Sequence, residues 1–385
     1  MNIVLFDSNQ KKYFPLSLTR PVSDFRFGIL TIKEKWEYYF KDVSVKAESY
    51  LNDKFHLNIS SDNLWIDSQV IPTDDLIIEL NNLREGEGLI SNDVVIGFRY
   101  CNFNLEKINF IKSNANISIL EKMVDLFYKM NSQLKNDFEL LTKGKESEKL
   151  DNSNTLIGDN IFIEKGAKIS SSIFNSETGP IYIGKNAEIM EGSIIRGPFS
   201  LSENSVVKMG AKIYGPTSIG PNCKVGGEIN NSVFFGFSSK AHDGFLGNSI
   251  IGEWCNLGAD SNNSNLKNNY EDVKLWSYEK ESFESTKLQF CGLIMGDHSK
   301  CGINTMFNTG TIVGVGVNIF GSGFPRNFIP SFSWGGAGGF SIHNKNKFFE
   351  TAKKVFKRRS LTLDNIEQNL LDNVYSMTKR YRNEK

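Results

Sequence analysis

Residues 183–225 read IGKNAEIMEGSIIRGPFSLSENSVVKMGAKIYGPTSIGPNCKV. Every sixth residue is aliphatic: Ile183, Ile189, Ile195, Leu201, Val207, Ile213, Ile219 and Val225. The same step holds in Ile157, Ile163 and Ile169 on one side, and in Met295, Cys301, Phe307, Val313 and Ile319 on the other. A period of six fits neither the 3.6-residue helix nor the alternating strand. It predicts a parallel β-helix, in which three hexads make one triangular coil and each apolar residue stacks inward on its equivalent in the next coil.

The count slips three times. Ile169 to Ile183 is fourteen residues, Val225 to Ile251 twenty-six, and Leu257 to Met295 thirty-eight, each two more than a multiple of six. Each excess predicts a bulge or loop pushed out of the coil. The last slip contains 262–289, a polar stretch carrying Tyr270, Trp276, Tyr278 and Phe283. A β-helix cannot take such a loop into its own core, so it packs outside, on a neighbouring subunit or over a ligand. The chain is rich in Asn, which tolerates the left-handed backbone angles that tight coil corners need.

The rest divides around this repeat. Residues 1–145 predict an α/β domain, with strands over 2–6 and 94–98 and helices over 29–40, 75–83 and 120–141. The polar stretch 142–154 joins it to a β-helix over 155–343 with an extruded loop at 262–292. SFSWGGAGGF, residues 331–340, reads as a flexible glycine-rich segment. Helices over 348–359 and 363–377 fill a C-terminal segment, 344–385.

Composition narrows the function. The chain has 385 residues, with 44 basic and 44 acidic side chains. A net charge of zero provides no basic field for nucleic acid or an anionic membrane. No apolar run approaches the roughly 20 residues that span a bilayer. The N-terminus lacks the basic-then-apolar order of a secretion signal. Five scattered cysteines without a CxxC predict a reducing, cytoplasmic setting.

Four histidines are present, and His242 is the one placed for chemistry. It lies in SSKAHDGFLG, inside the second slip, beside Lys240 and Asp243. A positioned imidazole takes a proton near neutral pH; a surface histidine capping a bulge is the other reading. Asn256 and Asn265 form a polar set nearby, with a corner or ladder role as the alternative for Asn256. Lys208, Lys212 and Lys224 lie on or near the outer wall, either gripping a phosphate or keeping the prism soluble. His242 and His298 are too far apart in sequence to suggest a three-histidine zinc site. Near the N-terminus, Arg20, Asp24 and Arg26 form a candidate phosphate grip or a set of internal salt bridges. The first strand is not followed by a glycine-rich turn.

TRPVSDFRFGIL (19–30), FELLTKGK (138–145) and KMGAKIYGPTSIGPNCKVGGEINNS (208–232) resemble the bifunctional UDP-N-acetylglucosamine pyrophosphorylase/glucosamine-1-phosphate N-acetyltransferase family in its divergent Bacteroidetes form. The resemblance implies a left-handed β-helix, a homotrimer with acetyl-transfer sites between subunits, and acetyl-CoA as cosubstrate. Lys240-Ala241-His242 and Phe245-Leu246-Gly247 match the family's catalytic segment, which places His242 on its general base. Asn256 and Asn265 match two asparagines of the acceptor site, and Lys208 matches an arginine that holds the sugar phosphate. There are departures. One residue is missing before His242, Phe245 replaces a tyrosine, and the second phosphate-binding lysine falls near Gly226, with Lys224 or Lys212 as substitutes. The pyrophosphorylase loop is absent from 1–20. For 1–145 the resemblance implies uridylyl transfer from UTP with Mg²⁺, with Asp7 as a metal contact and Arg20, Asp24 and Arg26 as phosphate contacts. The expected substrate is glucosamine-1-phosphate or a related amino-sugar phosphate. Two alternatives stay open: a non-catalytic trimer that binds a sugar nucleotide, and an acetyltransferase for a nucleotide-linked amino sugar.

Overall fold

The computed structural model describes residues 1–382 and resolves two compact units. The first comprises 1–13, 17–25 and 30–123; the second comprises 14–16, 26–29 and everything from 124. The last three residues of the expected C-terminal segment lie outside the described residues.

The first unit is built on Asn2–Phe6, whose run Ile3, Val4, Leu5 and Phe6 is wholly buried. Burial on both faces suits a central parallel strand. It pairs in parallel with Val43–Lys46 on one side and Asn63–Asp67 on the other. Val94–Arg99 joins antiparallel to Asn63–Asp67, Glu87–Ser91 antiparallel to Val94–Arg99, and Asn109–Lys112 parallel to Glu87–Ser91, which completes six strands. Helix α1, Ile32–Tyr39, starts three residues later than its apolar stripe suggests because Thr31 and Glu34 form a reciprocal cap. Its Trp36 is buried and donates Nε1–H to the carbonyl of Val70 at 3.0 Å. Helix α2, Asp74–Asn81, is capped by Thr73.

In the second unit the helix expected over 120–141 is broken into α3, Asp125–Tyr128, and α4, Met130–Thr142. Asp137 of α4 accepts the amide of Ile29 at 2.8 Å, and Ser218 donates to the carbonyl of Gly28 at 2.6 Å. Gly28 has φ +109°, and a Cβ there would lie 2.2 Å from the Asp137 carboxylate, so glycine is required. The second compact unit thus takes in 26–29 and α4.

The rest of this unit is the parallel solenoid. Its walls are sheets of nine, ten and six strands in which each strand pairs with its equivalent one coil on. Ile183 pairs with Leu201 and Leu201 with Ile219; Ile189 pairs with Val207 and Val207 with Val225. These side chains form one continuous apolar core. The regular coil is eighteen residues, and its corners repeat with it. Asn186, Asn204 and Asn222 turn one corner at φ 54°, 56° and 58°, while Gly192 and Gly210 turn another.

The first slip is an outward bulge around 176–180 between Asn175 and Ile181. The second is a correction. Ile219 pairs with Phe234, fifteen residues on, and Phe234 with Ile251, seventeen on. Two coils are therefore shortened, rather than one carrying an insert. A surplus of two and a deficit of four leave the same phase in a six-residue period. The third slip is the predicted extrusion, built as a hairpin of Lys274–Ser277 and Ser282–Ser285. It packs on its own chain, with Trp276 stacked on Phe328 at 4.4 Å and Tyr278 edge-on to Phe14 at 5.6 Å. The glycine-rich 331–340 also needs correcting. It is not an irregular flexible segment but supplies most of an antiparallel hairpin, Ser333–Gly336 with Gly339–Ile342, that extends the ten-stranded wall. Helices α5, Lys345–Lys357, and α6, Asn365–Met377, follow. Among the described residues no helix is long and apolar enough to cross a membrane.

Candidate functional site

The shortened coil creates the site. In the coil below, four residues (Lys208 to Ala211) connect the second wall to the third. In the short coil only Gly226 and Gly227 do so. In the next, Ala241 to Gly244 make a four-residue corner again. The missing pair leaves a notch between two full corners. A Cβ on Gly227 would lie 2.9 Å from the carbonyl oxygen of His242, and one on Gly226 2.5 Å from that of Ala241. Two glycines are therefore what lets the His242 corner close down. The notch is an open recess of about 550 Å³. His242, Asp243, Lys208, Met209 and Asp260 line its rim. His242 is exposed and Lys208 half-buried.

Lys240 faces away from this recess, and its expected contact with substrate needs correcting. It pairs with Val225 in the column that points into the core and is only 1% exposed. Its ammonium donates to the carbonyls of Gly226 at 3.1 Å, His242 at 2.6 Å and Asp243 at 3.2 Å. Three donors meet three acceptors, so none is left for a ligand. Burial lowers its pKa from the usual 10.5 to about 8, against the opposing pull of Asp243 and Asp260. From inside, Lys240 ties the shortened corner to the corner that bears His242.

The other expected residues are dispersed. Lys224 and Asn256 line a second recess of about 350 Å³, with Ser239, Lys300, Arg358 and Arg359. Asn265 donates to the Asn248 side chain at 2.8 Å, and neither lines the His242 notch. Lys212 stands exposed on the six-stranded wall, paired in register with Glu228. Arg26 is a further correction. It is buried, with Nη1 on the carbonyl of Ile29 and Nε on that of Phe235 at 3.3 Å, so its guanidinium serves backbone rather than a phosphate. Arg20 and Asp24 belong to the first unit and Arg26 to the second. Arg20 is buried and Asp24 half-buried.

In the first unit, Asp7 directly follows the strand Asn2–Phe6 and Asp67 ends the parallel strand beside it, the place where open α/β sheets bind ligands. Burial raises the Asp7 carboxyl to about 7, although it accepts the amide of Val22 at 3.1 and 3.2 Å. Burial also raises Asp67. Among the described residues no group of three His, Cys, Asp or Glu is spaced to hold a metal ion. Asp7 is thus a buried carboxyl beside Asp67 that accepts the Val22 amide.

Sequence reasoning did not foresee the notch, or the partnership of Lys300, Arg358 and Arg359 with Lys224. Gly226-Gly227 was the available signal for the notch, since adjacent glycines permit a close approach of backbone.

A family profile described as "Sugar nucleotidyl transferase" matches residues 3–146. The "Bifunctional protein GlmU" of Methanocaldococcus jannaschii is 36% identical over 87 residues, covering 23% of this chain and 21% of that protein. The chain thus matches about a fifth of the length of this curated relative. Among solved structures, the polySia-specific acetyltransferase NeuO aligns with TM-score 0.28 and 15% identity over 50% of this chain and 88% of its own. Arabidopsis UDP-N-acetylglucosamine acyltransferase aligns with TM-score 0.28 and 14% identity over 60% and 79%.

Proposed function

We propose that the solenoid unit transfers the acetyl group of acetyl-CoA to the amine of glucosamine-1-phosphate or a related amino-sugar phosphate. The observation that carries this reading is the meeting of His242 and Lys208 in one open notch. An imidazole and an ammonium at its rim match the two ends of such a substrate. Lys208 attracts the phosphate, and His242 takes a proton from the amine as the nitrogen attacks the thioester carbonyl. The C–N bond forms, the C–S bond breaks, and the departing thiolate is protonated to free coenzyme A. A nucleotide-linked amino sugar is the alternative acceptor; competition between the two acceptors in a product assay separates them.

The match to a sugar nucleotidyl transferase profile supports sugar-nucleotide chemistry in the first unit. The expected uridylyl transfer from UTP is one form of it. The other is a unit that binds a sugar nucleotide without turning it over. Pyrophosphate release from UTP and N-acetylglucosamine-1-phosphate distinguishes them. The reading carries a homotrimer in which a neighbouring solenoid walls the open side of the notch; a monomeric mass by light scattering at assay concentration overturns that part. For the chemistry, His242→Ala is expected to lower thiol release by about 10²- to 10⁴-fold. Unchanged turnover removes His242 from the reaction.

A further inference from the structure

The outward column of the ten-stranded wall runs Lys224, Ser239, Asn256 and Lys300 on successive coils. Neighbouring strands lie about 4.8 Å apart, so the two lysines bracket a strip roughly 14 Å long with a hydroxyl and an amide between them. The end of α5 closes over this strip. Phe356 stacks on Trp254 at 4.0 Å, and Trp254 on Phe237 at 4.3 Å. That anchor fixes the next residues of the chain, Arg358 and Arg359, as the opposite lip of the recess. Four cations therefore face one space of about 350 Å³, and no carboxylate is among its lining residues.

Arginines after a helix commonly do no more than balance its negative C-terminal dipole. That accounts for Arg358 and Arg359, but not for Lys224 and Lys300, which come from the sheet and face the same space. Lys300 is half-buried, and desolvation pushes its pKa down. Like charges gathered in a partly closed recess repel, and an anion between them relieves both repulsion and desolvation.

We propose that this recess is a second ligand site, separate from the His242 notch, and that it takes the diphosphate or paired phosphate esters of a nucleotide-like molecule. Guanidinium forks bind phosphate oxygens in pairs, and the two lysines bind them as point charges. Asn256 and Ser239 add neutral hydrogen-bonding groups. The Trp254 and Phe237 rings give an apolar wall for the organic part. The site stands whether or not the notch carries acetyl transfer.

Calorimetric titration of the full chain with inorganic pyrophosphate tests it, performed in the Lys208→Gln protein so that the notch does not contribute. Saturable binding that weakens with added salt is expected. Lys224→Gln and Arg359→Gln, both changes of accessible side chains, are each expected to weaken it by about tenfold. Absence of saturable binding overturns the site, as does binding indifferent to both changes in proteins whose urea midpoints are unaltered. Uridine diphosphate and adenosine 3′,5′-bisphosphate are then used as competitors. Displacement by either supports a nucleotide-like ligand and identifies its source, and displacement by neither overturns the organic half of the proposal.

Discussion

Lys240 occupies a position that its neighbours fill with Val207, Val225, Leu257 and Cys301. A cation in an apolar stack persists only if each of its protons is used, and here three backbone carbonyls use them. Its folded-state pKa, about 8, lies below the usual 10.5. The unfolded chain therefore binds more protons between those values, and this group's contribution to stability rises as pH increases from about 8 to 10.5. Cysteines and tyrosines with raised pKa values oppose it in the same range, so the difference against Lys240→Met isolates the term. We expect the wild type to gain on the order of 2 kcal/mol relative to Lys240→Met between pH 7.5 and 10.5, read from urea midpoints. A flat difference places the ammonium in water. The sequence did not reveal this residue's direction. Lys240 is fifteen residues after Val225, off the six-residue count, and reads only as a lysine beside a candidate base.

Corners were the most legible elements. Asn186, Asn204 and Asn222 recur every eighteen residues because asparagine accepts the positive φ that the corner imposes. The strand Asn2–Phe6 is apolar from Ile3 onward and lies where its composition placed it. Element boundaries that depend on docking were less legible. Helix α5 starts at Lys345, three residues before its expected start, where Asn344 caps it. Its far end is held by the Phe356–Trp254–Phe237 stack, with His298 parallel to Phe356 at 6.0 Å. Phe356→Ala is expected to cost about 3 kcal/mol at this contact. Amide exchange in α5 then accelerates while that of the solenoid strands does not. Equal acceleration throughout contradicts a locally docked helix.

Across the whole molecule, four of the five cysteines serve as packing. Cys223, Cys255, Cys291 and Cys301 are buried, and burial raises all four thiols, Cys223 and Cys291 to about 12. Cys101 is half-buried. Ellman's reagent should find one fast thiol in the native protein and five in urea, because only accessible thiolate reacts. Two or more fast native thiols contradict the packed core. The six-residue period alone determined the solenoid, because stacking of like on like requires only that each short segment resemble its neighbour in the next coil. It equally determined where the coil is interrupted. The tertiary structure decided that the second interruption is a contraction rather than an insertion, since the period records coil length only modulo six. It also decided that Lys240 points inward while Lys224 points out to meet Arg358 and Arg359. These outcomes depend on which distant segments pack together, and no local pattern encodes that.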